Sequence, residues 1–105
     1  MAVPILTDMK SVDRNSVVVA SPQQVSSRLA GEAALLNLDT GVYYGLNALG
    51  SRIWELIQTP VSVEKIRQTI LTEYEVSAER CEQDLLTLLQ ALLDEGLIQI
   101  QPAPV

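Results

Sequence analysis

Hydrophobic residues in the first half of the chain fall in short stretches separated by turn residues, a pattern that predicts β-strands. The clearest case is 33–38, where Leu36 and Leu38 share one face and Leu35 lies on the other. Shorter apolar stretches predict further strands at 17–19, 25–29 and 42–44. The Asp-Thr-Gly at 39–41 supplies the residues of a tight turn. The last three strands are therefore predicted to form an antiparallel meander.

From Ala48 onwards, apolar residues recur every three to four positions, as on the buried face of a helix. Good N-cap residues stand before three such segments: Asn47, Ser62 and Ser77. The pattern predicts helices over 48–58, over a segment beginning at Val63, and over 78–95, with Gly96 ending the third. Strands followed by helices indicate an α+β domain. The simplest arrangement is a three-stranded antiparallel sheet followed by three helices.

The length of 105 residues fits one domain. We expect this domain to cover 17–100 and to end in a short extended segment, 97–100. Residues 1–16 show no clear period and predict a flexible arm, and the prolines after residue 100 mark 101–105 as a tail.

The sequence indicates neither a membrane segment nor a secretory signal. No apolar run reaches the ~18 residues that a bilayer-spanning helix needs, and no basic region precedes the first apolar stretch. Cys81 is the single cysteine, so the chain has no internal disulfide. These features favour a reducing cytoplasm.

The net charge of −6 comes from the last third of the chain. Residues 1–72 carry six acidic and six basic side chains, whereas 73–105 carry seven acidic side chains and only Arg80 as a base. Nucleic-acid binding normally requires a basic face, so this distribution opposes it and favours a basic partner. The alternative is that these are solvated helix charges that keep the protein soluble.

The composition also opposes catalysis. The chain has no histidine, which removes the commonest general base and the commonest metal ligand. Cys81 has neither a histidine nor a second cysteine to act with, so a structural thiol is favoured. The glycines follow no phosphate-loop or dinucleotide spacing. We therefore expect a protein that is not an enzyme and holds no cofactor or metal.

The strand Val42, Tyr43, Tyr44 and Gly45 is the first of two candidate binding features. It comes last in the meander and has no charged side chain, so one edge with free N–H and C=O groups is expected to accept a further strand. Successive side chains point to opposite faces, so one tyrosine packs inward while the other lines a surface. The N–H of Tyr44 is expected to be a donor at this edge. An ordinary strand protected by the fold is the alternative.

The third helix is the second feature, because its apolar arc is wider than one-sided packing requires. One stripe comprises Cys81, Leu85, Leu88 and Leu92, and a neighbouring stripe comprises Leu86, Leu89 and Leu93. If this helix lies beside the strand at 42–45, the two form a groove suited to β-strand addition of a peptide. Asp84 on the rim would pair with a basic residue of the guest. Burial of the whole arc in the core is the alternative.

These residues resemble a known family. The run LLNLDTGVYYGLNALGSRIWELI at 35–57 is similar to the PqqD-like family, also called recognition elements of ribosomally synthesised and post-translationally modified peptides (RiPPs). The later segments VSVEKI, EYEVSAERCEQDLL and LLDEGLI resemble it too. The similarity covers about 17–100.

The resemblance implies a winged-helix-like fold that binds the leader region of a precursor peptide as an added strand. The edge would be Val42 to Gly45, and the helix wall would comprise Arg80, Cys81, Asp84, Leu85 and Leu88. The chain looks most like the stand-alone leader-binding protein of a split lasso-peptide system. Such proteins work with a separate transglutaminase-like cysteine protease, which removes the leader.

Three alternative functions remain open at this stage. The first is a peptide chaperone for the radical enzyme of pyrroloquinoline quinone synthesis, as in the PqqD proteins themselves. The second, a winged-helix DNA-binding protein, is opposed by the acidic third helix. The third is a structural homodimer that pairs through the same open strand edge.

Overall fold

The computed structural model describes residues 11–101. Their elements follow in the order β1 (Val17–Ala20), β2 (Gln24–Leu29), β3 (Glu32–Asn37), β4 (Tyr43–Gly45), α1 (Ala48–Leu56), β5 (Val61–Ser62), α2 (Val63–Glu73), α3 (Ala78–Asp94) and β6 (Ile98–Gln101). The predicted α+β class, with a three-stranded antiparallel sheet and three helices, is confirmed. Predicted and observed boundaries differ by no more than two residues, the largest difference being the end of α1.

The strands β2, β3 and β4 form the predicted meander, in that order. Val25 lies opposite Leu36, and Leu36 lies opposite Tyr43. Gly41 adopts a φ of +77° in the β3–β4 turn, a conformation that glycine takes at little cost. The meander therefore consists of two consecutive hairpins, with β4 at one edge of the sheet.

The sequence pattern did not reveal a second sheet, in which β1 lies between β5 and β6. Val17 pairs with Ser62 on one side and with Gln101 on the other. This sheet brings the two ends of the domain together. The predicted strand at 17–19 is thus separate from the meander.

The helices begin where their caps predicted. The side chains of Asn47, Ser62 and Ser77 accept hydrogen bonds from the backbone N–H groups three residues further on. Buried side chains from both sheets and all three helices form one core, which includes Leu35, Ile57, Ile66, Leu89 and Leu97. Ser51 joins α1 to β3, because its hydroxyl accepts a hydrogen bond from the Ala33 N–H at 2.7 Å.

The predicted arm at 1–16 and the tail at 101–105 lie mostly outside the described residues. Within 11–16, the Val12 N–H donates to the side chain of Gln90 on α3 at 2.9 Å, and Arg14 pairs with Glu82. Val12 and Arg14 therefore tie this segment to α3. Among the described residues, no helix combines the length and the apolar character needed to cross a bilayer.

Candidate functional site

A free strand edge

Strand β4 pairs on one side only within residues 11–101, and its two edges carry different residues. The Asn37 N–H donates to the Val42 carbonyl at 2.9 Å, and the Leu46 N–H donates to the Ala33 carbonyl at 2.8 Å. In an antiparallel pair, every second residue directs its N–H and C=O towards the partner. Val42, Tyr44 and Leu46 therefore face β3. Tyr43 and Gly45 direct their backbone groups to the open edge.

This alternation corrects the expectation that the Tyr44 N–H is an edge donor. Tyr44 lies opposite Leu35, so its backbone groups belong to the β3–β4 ladder. The two side chains also separate as predicted: Tyr44 is half-buried and packs on the core, whereas Tyr43 is 69% exposed.

The groove

A groove of about 380 Å³ lies between the end of β4 and the N-terminal half of α3. Its sheet wall is formed by Tyr44 and Gly45, and its α3 wall by Arg80, Cys81, Asp84, Leu85 and Leu88. The predicted apolar arc of α3 is divided between the core and the groove. Leu85, Leu89 and Leu92 are fully buried, whereas Leu88 is half-buried and faces the groove. The arc thus serves both the core and a surface.

The groove also has walls that the sequence analysis did not include. These residues come from the start of α1 and from the end of α2 and the loop after it, and they include Leu46, Asn47, Leu49, Gly50, Ile53, Ile70 and Val76. The N-cap signal of Asn47 placed the helix start directly after the candidate strand. A helix separated from β4 by only two residues must begin close to it. This short spacing is the sequence signal that could have placed α1 at the site.

Two charged side chains, Arg80 and Asp84, are among the described residues that line the groove. The Arg80 Nε lies 3.3 Å from Asp84 Oδ2, and both side chains are mostly exposed. An exposed pair of this kind contributes little to stability, so either member is available to a charged guest. The groove is therefore apolar at its base and charged at its rim.

Cys81 lies in the base of the groove and is 8% exposed. Burial raises the pKa of its thiol, and the Arg67 guanidinium opposes this change only partly. Because the thiolate is the reactive form, Cys81 has the properties of an apolar wall residue. Within 11–101, no three His, Cys, Asp or Glu side chains form a group suited to a metal ion.

Of the nine predicted site residues, seven line the groove: Tyr44, Gly45, Arg80, Cys81, Asp84, Leu85 and Leu88. Val42 and Tyr43 do not line it. Val42 uses its N–H in the turn, where Thr40 Oγ1 accepts it at 3.2 Å. The ring of Tyr43 lies on the other face of the sheet. Only its backbone, at the open edge of β4, borders the candidate site.

The outer face of the meander sheet

The face of the β2–β3–β4 sheet that points away from the core carries an apolar row. Val25, Leu36 and Tyr43 lie side by side across the three strands, and Leu38 follows in the turn. Val25, Leu38 and Tyr43 are each more than half exposed. We call these four residues the outer row.

Comparison with known proteins

Residues 32–98 match the model of a family described as "Coenzyme PQQ synthesis protein D (PqqD)". A solved structure described as "TbiB1 in Complex with the TbiA(beta) Leader Peptide" is 37% identical, and the similarity covers 83% of this chain and 99% of that one, with a TM-score of 0.71. Another, "Lasso peptide synthetase B1 complexed with the leader peptide", is 24% identical, with coverage of 81% and 98% and a TM-score of 0.69. At that identity it supports the fold alone. No curated protein matches the chain.

The family model spans more than half of the chain, and the match to the TbiB1 structure covers 83% of the chain at 37% identity. The resemblance recognised in the motif at 35–57 is therefore confirmed. The chain belongs to the PqqD family, as one of its RiPP recognition elements.

Proposed function

We propose that this protein binds the leader region of a ribosomally made precursor peptide and presents it to a separate leader peptidase in lasso-peptide maturation. The observation that carries the proposal is the juxtaposition of a free strand edge and an apolar groove. Tyr43 and Gly45 offer backbone groups that no strand within 11–101 pairs with, and the groove begins at the neighbouring Tyr44. Strand addition uses both features, because main-chain hydrogen bonds supply affinity and side-chain pockets supply selectivity.

The geometry of β4 predicts which residues of the bound peptide form hydrogen bonds and which direct their side chains into the groove. Guest residues opposite Tyr43 and Gly45 form the hydrogen-bonded pairs, and their side chains share the outer face with the Tyr43 ring. The guest residue opposite Tyr44 directs its side chain towards the groove. Every second guest side chain is thus selected by apolar contact with Leu85, Leu88 and their neighbours.

Leader binding, which the proposed lasso pathway requires, is supported by a solved relative. TbiB1, 37% identical over nearly its whole length, is in complex with the TbiA(beta) leader peptide. The PqqD family description alone would suit either pathway. A short extended leader is the guest that fits both the edge and the groove.

The proposed protein is a binding subunit without catalytic activity of its own. Burial raises the pKa of the Cys81 thiol, and the chain contains no histidine to act as its base. Cleavage of the leader must therefore come from another protein, which we propose to be a transglutaminase-like cysteine protease. Since ribosomes supply the precursor, the proposed location is the cytoplasm.

The outer row is the surface that we propose for this protease. A bound leader extends the sheet beyond β4, and its outward side chains then continue the row of Val25, Leu36 and Tyr43. A partner that covers this face contacts the binding protein and its guest together. Neighbouring exposed apolar side chains of this kind are typical of protein interaction sites.

Fluorescence anisotropy with labelled leader peptides tests the proposal. The probes are the TbiA(beta) leader and the leader of the precursor encoded beside this protein, with scrambled peptides of equal composition as controls. We expect a Kd of about 0.1–1 μM for the protein's own leader, or roughly −8 to −10 kcal/mol. If neither leader binds at 100-fold higher concentration, or if the scrambled peptides bind equally well, the proposal is wrong.

A further inference from the structure

Asn37 is a buried polar residue at the end of β3, with 4% of its surface exposed. Its side-chain amide donates to the Glu95 carbonyl, the C-cap of α3, at 2.7 Å. Its side-chain oxygen accepts from the backbone N–H groups of Asp39 at 2.8 Å and Thr40 at 3.1 Å. One side chain therefore joins the β3–β4 turn to the end of α3.

The backbone of Asn37 holds the same turn. Its N–H donates to the Val42 carbonyl at 2.9 Å, and its carbonyl accepts from the Gly41 N–H at 2.8 Å. Four hydrogen bonds of this residue thus fix the turn from which β4 starts, and the fifth ties it to Glu95. The position of β4 relative to α3 depends on them.

Gly96 shows how closely the two elements approach. It follows α3 with a φ of +73°, and a Cβ placed on it would lie 2.8 Å from the Asn37 side-chain nitrogen. A real side chain there would have to displace Asn37, because that distance is below any normal contact. The tie between the turn and α3 is therefore tight as well as buried.

We propose that Asn37 is a positioning residue for peptide binding, since it sets the spacing between the free edge of β4 and the groove wall on α3. This inference rests on the proposed function. It adds that the two walls are held in position from outside the groove, by a residue that does not line it. Without the tie, the turn and the helix end move independently, and a bound strand cannot contact both walls at once.

The variant Asn37→Asp tests the proposal, because it retains the acceptor for the turn and replaces the donor to Glu95 by a second acceptor. The matched control is Val18→Ala, a buried change in β1, which has no pairing with β4. Denaturation midpoints of both variants are measured first, and peptide affinity is then measured at a temperature where both are folded. We expect Asn37→Asp to raise the Kd for the TbiA(beta) leader about tenfold or more and Val18→Ala to leave it within about twofold.

Gly96→Ala is a second variant, which keeps the Asn37 side chain but displaces its amide. It should weaken binding in the same direction, and it keeps the test decisive if Asn37→Asp does not fold. If the folded Asn37 or Gly96 variants bind as tightly as the unmodified protein, or no more weakly than an equally destabilised Val18→Ala, the positioning role is wrong. Failure of the unmodified protein to bind any leader would instead overturn the proposed function.

Discussion

Tyr43 and Tyr44 are neighbours in β4, yet their backbone groups point to opposite edges of the strand. Tyr44 lies opposite Leu35 and contributes to the β3–β4 ladder, whereas Tyr43 directs its N–H and C=O to the open edge. Their side chains are divided in the same way, with Tyr44 at the groove and Tyr43 on the outer face. Tyr43 thus offers main-chain hydrogen bonds to a bound peptide, and Tyr44 lines the groove that would receive its side chains.

The first prediction concerns this open edge. Tyr43→Pro removes one outward N–H and should raise the Kd for a leader peptide about tenfold, a loss of roughly 1.4 kcal/mol. Tyr43→Ala is the matched control, because it removes the exposed ring and retains the N–H. It should bind within about threefold of the unmodified protein in an anisotropy titration. Equal affinities for the Pro and Ala variants would contradict strand addition at Tyr43.

The second prediction concerns the α3 wall. Leu88→Asp places a charge in the apolar part of the groove, where desolvation on peptide binding is costly. We expect calorimetric titration to show at least about tenfold weaker binding. Thr87→Asp adds the same charge one residue earlier, at an exposed position outside the groove lining, and should change the affinity little. A comparable loss in both variants would indicate a general charge effect.

The third prediction separates binding of the leader from its presentation to the partner protease. Leu38→Glu in the outer row should leave leader affinity within about twofold but reduce the rate of leader removal by the partner protease about tenfold or more, because it interrupts the apolar surface. Gln99→Glu, an exposed change of equal charge in the other sheet, is the control. Cleavage at the normal rate by the Leu38 variant would place the protease elsewhere.

The fourth prediction concerns stability in acid. Hydrogen bonds from arginines lower the pKa of three partly exposed glutamates: Glu55 through Arg28, Glu64 through Arg67, and Glu73 through Arg52. A depressed carboxyl pKa stabilises the fold above the unfolded-state value of about 4.3, and this contribution is lost as pH falls through the folded-state value. The thermal midpoint should therefore decline below about pH 4.5.

Glu73→Gln provides the control for this effect. It removes one linked carboxylate, so the midpoint should be lower at pH 7 and should fall less steeply in acid than that of the unmodified protein. An equally steep acid decline in the variant would show that the Arg52–Glu73 pair does not contribute to the pH dependence.

Local signals made most of the fold predictable. Asn47, Ser62 and Ser77 marked the three helix starts because a capping side chain acts within three residues of its own position. The turn at Gly41 was also predictable, because a tight turn depends only on the few residues that form it. The second sheet was not, because Val61–Ser62 is too short to show a period and its partner, Val17–Val18, lies more than forty residues away.

The residues of the candidate site were predictable only in part from the sequence, and their orientation was not predictable. Helical periodicity placed Leu88 and Leu89 on neighbouring stripes of one apolar arc but did not show which of them would be buried. In the structure, Leu89 lies in the core and Leu88 faces the groove. A one-residue change in strand register exchanges inward and outward backbone groups, so the pattern alone did not distinguish Tyr43 from Tyr44. The tie from Asn37 to Glu95 joins residues distant in sequence and has no local signature.

Residue-resolved amide exchange, measured with and without saturating leader peptide, tests strand addition most directly. The account predicts that the N–H groups of Tyr43 and Gly45 exchange quickly in the free protein and slowly in the complex, while the N–H of Tyr44 is protected in both. If the peptide binds and the exchange of Tyr43 and Gly45 is unchanged, the guest does not add to this edge and the central claim is contradicted.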